Sequence, residues 1–169
     1  KKRPGEQEGR EYFFKSKEEF QKMIDNDELL EYATFNDRSY GTPKSYVEKL
    51  INEGKDVILE IEVQGALQVK EQFPEALLLF VTPPSAQILK ERLVGRGTEA
   101  QDVIAQRMAI SSKESYLMNN YDYLIINDVL EESVNKVHNI IQCEHARTVR
   151  NNDSIKKMQE ELKEYSKGE

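Results

Sequence analysis

The chain has 169 residues, 38% of them hydrophobic, enough for one domain with a real core, or a core with small inserted lobes, and too few for two independent domains. Its formal net charge of −7 argues against a broad nucleic-acid or anionic-membrane surface, so any anion must be bound by locally gathered arginines. Cys143 is the only cysteine, which excludes an intrachain disulfide, fits a reducing compartment and defaults to a buried thiol.

No signal-like leader opens the chain, and its longest apolar run, Ala76 to Val81, is far too short to span a membrane; a cytoplasmic location is expected. The first residue is Lys1 rather than Met, and no Gly-x-x-x-x-Gly-Lys-Ser/Thr phosphate loop occurs anywhere. The sequence therefore reads as a piece of a longer chain.

In chain order, Arg3 to Tyr12 is polar and carries Pro4, Gly5 and Gly9, a loop signature, and Tyr12-Phe13-Phe14 follows as a short aromatic strand. Ser16 with Glu19 forms a capping box, and Phe20, Met23 and Ile24 give helical spacing to about Asp27. Leu29 to Phe35 is a predicted strand, with Asn36-Asp37-Arg38-Ser39 as a hairpin turn into Tyr40-Gly41-Thr42-Pro43. Thr42-Pro43 is expected to cap the next helix with proline at its first position, and Tyr46, Val47, Leu50 and Ile51 form a stripe ending at Gly54.

The run Val57 to Gly65 holds two acids, Glu60 and Glu62, inside a segment fit for a buried strand. Apolar residues on both faces predict a parallel strand covered on each side, with the acids two apart on one side near its carboxyl end, where open α/β sheets keep their ligands. An amphipathic edge strand with solvated acids is the alternative. A helix is expected after Gly65, then a second apolar strand over Ala76 to Val81, making a parallel βαβ unit.

Pro83-Pro84-Ser85 starts a helix through Ile88, Leu89, Arg92 and Leu93, broken by Gly95 and Gly97. Thr98 to Met118 is polar and helical, as expected of a mobile flap. Tyr123 to Asn127 is a third core strand, Leu130 to Arg150 a long amphipathic helix, and Asn151 to Glu169 a charged tail helix, solvated or partner-facing.

Three arginines, Arg92, Arg96 and Arg107, lie in or beside the flap, where planar guanidiniums could clamp a polyphosphate; a solvated basic face pairing with Glu91 and Glu99 is the alternative. Glu31 and Glu62 are carboxylates that could converge. Guanine presents two donors, N1–H and an amino group, beside the O6 acceptor. Two carboxylates and a hydroxyl such as that of Thr42 complement this edge, whereas adenine places an acceptor where a donor is needed. Two unrelated surface acids remain the alternative. His138 and His145 have no further ligands at metal spacing, and no serine or cysteine nucleophile arrangement is visible.

Taken together, Arg3-Pro4-Gly5-Glu6, Gly9, Tyr12-Phe13-Phe14, Glu31, Ser39-Tyr40-Gly41-Thr42-Pro43, Leu59 to Gly65, Pro83-Pro84-Ser85, Arg92, Gly95-Arg96-Gly97-Thr98-Glu99 and Ile126-Asn127-Asp128 resemble guanylate kinase of the bacterial type, from Arg3 to about Arg150. The resemblance implies a P-loop nucleoside monophosphate kinase-like α/β fold with a parallel sheet core, an inserted GMP-binding lobe and a helical lid. It divides the chain into a lobe (1–46), core (47–84), lid (85–118), core (119–150) and tail (151–169). It implies that Arg3, Tyr12 and Tyr40 hold the phosphate of GMP, and that Glu31, Thr42 and Glu62 read guanine. It also implies that Glu60 helps hold Mg2+ through water, that Arg92, Arg96 and Arg107 bind the phosphates of ATP and the transferring group, and that Asn127 lies near adenine. The partners expected are GMP and ATP, with no nucleic acid or membrane and with a homodimer left open. The family's phosphate loop is not in this sequence, so the chain taken alone is expected to turn over little or not at all; a non-catalytic module of the same fold, binding GMP or a protein, is the rival.

Overall fold

A computed structural model describes residues 5–10, 12–35, 38–95 and 101–166. By its contacts the chain divides into two units, Lys1–Leu78 and Leu79–Glu169.

In the first unit, helix α1 (Lys17–Asp25) starts as its sequence predicts: Ser16 Oγ accepts from Glu19 N at 3.1 Å while the Glu19 carboxylate accepts from Ser16 N at 2.7 Å, so each side chain satisfies the other residue's otherwise orphaned N–H. Strands β1 (Leu29–Phe35) and β2 (Arg38–Pro43) pair antiparallel with Glu31 opposite Thr42 and Ala33 opposite Tyr40. Arg38 and Ser39 belong to β2 rather than to a turn; Asn36 and Asp37 lie outside the described residues. Helix α2 (Lys44–Asn52) ends with Gly54 at φ +75°, the left-handed conformation that glycine adopts without strain. Proline sits at its N-cap, one position earlier than predicted, and its ring, which has no acceptor, caps nothing; the Thr42 hydroxyl is bonded to Glu31.

Tyr12-Phe13-Phe14 does not form a strand. Among the described residues a single bridge, Glu8 to Tyr12, touches it, and the rings pack on each other and on neighbours: Tyr12 lies 5.9 Å from Phe14 and 6.1 Å from Tyr40, and Phe13 5.5 Å from Tyr46, between ring centres. Val57 to Glu62 is also no strand, although its period-two pattern survives. Val57, Leu59 and Ile61 pack on the core of Leu30, Val47 and Val69, while Glu60 and Glu62 share the open side with Ile58, which is 75% exposed. An extended run becomes a strand only when another lies beside it, and none of the described residues pairs with this one. One side is therefore covered, not both.

Helix α3 (Val63–Gln72) begins two residues before Gly65, not after it, with Glu62 as N-cap. Ala76 is held in the turn after α3 by Lys70 Nζ, 2.7 Å from its carbonyl, so the next strand is shorter than the apolar run. That strand, β3 (Leu79–Thr82), opens the second unit and pairs in parallel with β4 (Tyr123–Ile126), Val81 opposite Ile125. The connection between them holds α4 (Ala86–Gly95), whose Ile88 N–H is capped by Ser85 at 3.2 Å, and α5 (Gln101–Ser115), in which Ile104 is the buried residue. The two strands and this helical crossover make the parallel unit that the sequence placed one strand earlier.

Helix α6 (Leu130–His145) stops short of Arg150. Asn151 Nδ2 donates to the carbonyls of His145 (2.7 Å) and Arg147 (2.8 Å), closing the helix end before a 3-10 turn at Thr148–Arg150. Cys143 on α6 is exposed rather than buried. The final helix, α7 (Asn152–Ser166), buries no residue. Among the described residues no helix is long and apolar enough to cross a membrane, and no group of three or more His, Cys, Asp and Glu stands at metal-ligating distance.

Candidate functional site

Strand pairing in the first unit sets the central contact. Glu31, buried on β1 at 5% exposure, faces Thr42 across the ladder, and the Thr42 hydroxyl donates to Glu31 Oε1 at 2.7 Å. The other carboxylate oxygen points at the first turn of α3: a Cβ placed on Gly65 would lie 2.6 Å from Glu31 Oε2. Glu62, the exposed residue that begins α3, makes no capping bond with its side chain, so its carboxylate is not spent on the helix. Burial pushes the Glu31 carboxyl above its ordinary range, the Thr42 hydroxyl pulls it back, and the charge of Glu62 pushes it further up. The donors given to Glu31 both come from Thr42, its hydroxyl and its backbone, and a ligand edge with N–H groups would add donors for the two carboxylates.

Around this pair, Tyr40 lies two residues before Thr42 on β2, with its ring 6.1 Å from that of Tyr12; both rings are partly exposed. Glu60 is exposed on the same side of its segment as Glu62. Arg3 lies outside the described residues.

In the second unit, Arg92 on α4 donates from Nη1 to the Asn127 carbonyl at 2.7 Å and from Nη2 to that of Asp128 at 3.3 Å. Asn127 itself extends the parallel ladder, its N–H bonding the Thr82 carbonyl at 2.7 Å. Arg92, Asn127 and Thr82, with Val81, Pro83, Leu89 and Leu93, line a cleft of about 180 Å³ at the carboxyl ends of β3 and β4, the end at which open α/β sheets bind ligands. The two bonds take two of the five guanidinium donors of Arg92. Arg107 is half-buried on α5, and Arg96 lies outside the described residues.

A family model described as guanylate kinase matches residues 1–144. The chain belongs to the guanylate kinase family. It is 48% identical over 159 residues to a guanylate kinase of Oceanobacillus iheyensis, covering 94% of this chain and 77% of that one. With a guanylate kinase of Bacillus cereus it shares 50% over 162 residues, 96% of this chain and 79% of the other. Among solved structures, the crystal structure of guanylate kinase from Anaplasma phagocytophilum superposes with a TM-score of 0.74 at 30% identity, over 89% of this chain and 73% of that one. The fold is therefore that of the P-loop nucleoside monophosphate kinases, as the sequence motifs imply.

Sequence reading missed Gly65 as a site residue, treating it as the end of a strand. A signal was available: glycine in a helix costs about 1 kcal/mol against alanine, and one placed in the first turn beside two acids calls for a steric reason.

Proposed function

We infer that the chain works as a guanylate kinase, moving the γ-phosphoryl group of ATP onto GMP to give ADP and GDP. The observation that carries the substrate assignment is the buried Glu31, bonded to Thr42 and pressed against Gly65. Its raised carboxyl, with Glu62 beside it, is best satisfied by the N1–H and 2-amino groups of guanine. Adenine would set its N1 lone pair against a carboxylate and leave a buried acceptor unpaired, which costs about 1–3 kcal/mol per group and more for a charged one.

Tyr12 and Tyr40, together with Arg3, hold the phosphate of GMP in the lobe of residues 1–46. Arg92, Arg96 and Arg107, in the lid of residues 85–118, bind the phosphates of ATP, and Asn127 borders adenine at the cleft. A phosphate oxygen of GMP attacks the γ-phosphorus in line as the bond to the β–γ bridging oxygen breaks and ADP leaves. Positioning and neutralisation of charge perform this step, so no nucleophilic side chain is required.

Mg2+ usually takes one or two carboxylates plus phosphate oxygens and waters, and the single exposed carboxylate of Glu60 fits that donor set, held through water. The ion would neutralise phosphate charge. An ATP-dependent coupled assay of the full-length protein, phosphate loop included, is expected to form GDP from GMP and to show no turnover with AMP; no GDP from GMP would overturn the assignment.

A further inference from the structure

Strand β1 has β2 along one edge; its other edge is closed by side chains. Gln68 on α3 accepts from the Tyr32 N–H at 3.2 Å through Oε1 and donates through Nε2 to the Tyr32 carbonyl at 3.3 Å. Gln72, one turn on, donates to the Leu30 carbonyl at 2.9 Å. The two amides thus do for β1 what a neighbouring strand would do. Their spacing matches that of the strand, since four residues of helix rise about 6 Å and two residues of strand about 6.7 Å. Helix α3 runs opposite to β1, with Gln68 on Tyr32 and Gln72 on Leu30.

Gly65, Gln68 and Gln72 stand at i, i+3 and i+7, one stripe of the helix, and Glu62 lies one turn before Gly65. The stripe that pins α3 to the backbone on both sides of Glu31 is therefore the one that carries Glu62 and brings Gly65 against Glu31 Oε2. A slide of α3 along β1 would change the separation of the two carboxylates directly.

We propose that Gln68 and Gln72 are positioning residues which lock the register of α3 on β1 and thereby set the Glu31–Glu62 spacing that selects guanine. This rests on the guanine-reading role given above to Glu31 and Glu62. Neither glutamine touches the ligand; each acts through the backbone that carries Glu31.

The test is calorimetric titration of the full chain with GMP and with inosine monophosphate, which keeps N1–H and O6 but lacks the 2-amino group. The variants are Gln68→Met, Gln72→Met and the exposed control Gln159→Met on α7, each with its melting temperature. Methionine keeps the length and bulk of glutamine and removes the hydrogen bonds. The expected result is that wild type and Gln159→Met prefer GMP, whereas Gln68→Met and Gln72→Met weaken GMP by about tenfold and leave inosine monophosphate within about twofold, so that the preference collapses. If the two variants melt lower but keep the wild-type preference, the glutamines only stabilise the fold and the proposal is overturned while the guanine site stands. If wild type itself shows no preference for GMP, the guanine site falls and the proposal falls with it.

Discussion

At the scale of single residues, the site trades stability for recognition. The carboxyl of Glu31 is raised by burial, so its ionised form is less favourable folded than unfolded, and Glu31→Gln should raise the melting temperature at pH 7. The amide oxygen can still accept from Thr42, while GMP binding is lost because an amide cannot offer acceptors alone to the guanine edge; thermal melts and a GMP titration of the same variant check both halves. Gly65→Ala separates the same two quantities. The added methyl meets the far end of the Glu31 side chain at 2.6 Å rather than backbone, so the carboxylate swings aside at little cost. A propensity gain of at most about 1 kcal/mol offsets that cost, leaving stability near wild type with a raised KM for GMP. Gly41→Ala differs in kind: its Cβ would lie 2.9 Å from the Glu31 carbonyl oxygen, which is strand backbone. A loss of about 1–3 kcal/mol of stability is expected, read by denaturant unfolding. Of these residues, Glu31, Thr42 and Glu62 were legible through their motifs. The need for glycine at 65 was not, because it depends on a contact between a helix and a strand more than thirty residues apart.

Among elements, those specified by local chemistry were legible. The capping box fixed the start of α1, and Ser16→Ala should cost about 1 kcal/mol, a fall of roughly 2–4 °C in melting temperature for a chain of this size, with no change in GMP affinity. Ser85, Gly54 and the apolar run of β4 likewise placed their elements. The failures share one cause. Val57 to Glu62 has strand composition but no ladder among the described residues, Tyr12 to Phe14 spends its rings on each other, and Thr42 gives its hydroxyl to Glu31 instead of the helix it precedes. In each case the outcome depended on what lies beside the segment: no pairing strand among the described residues for the first, the rings of Tyr40 and Tyr46 for the second and the Glu31 carboxylate for the third. The glutamines of α3 are the extreme instance, since nothing in a helical Gln-x-x-x-Gln spacing announces that it will border a strand.

For the molecule as a whole, acid stability reflects four shifted carboxyls among the described residues: Glu18 and Glu19 in the first turn of α1 lie below their ordinary range, chiefly through hydrogen bonds to backbone N–H groups, as does Glu144, while Glu31 lies above it. Burial pulls Glu144 upward, but its bonds to Arg147 (3.2 Å) and to the Tyr123 hydroxyl (3.1 Å), with the charges of Arg147 and Arg150, outweigh burial and leave it below its ordinary range. Its contribution is present above pH 4.5 and is lost as pH falls through the depressed value; the cost of Glu31 sets in as pH rises from 4.5 through the raised one. Melting temperature against pH should show Glu144→Gln flattening the acid side and Glu31→Gln the neutral side. Helix α7 buries nothing, so truncation after Asn151 should leave GMP binding unchanged by calorimetry. Linear pattern alone established the family, the α/β class, the starts of α1, α4 and α6 and the identity of the residues proposed to read guanine, because capping, periodicity and motif order are local or linear properties. Only the tertiary structure decided which face of Val57 to Glu62 is covered, why residue 65 has no side chain and what closes the second edge of β1, because each depends on how close two distant segments come.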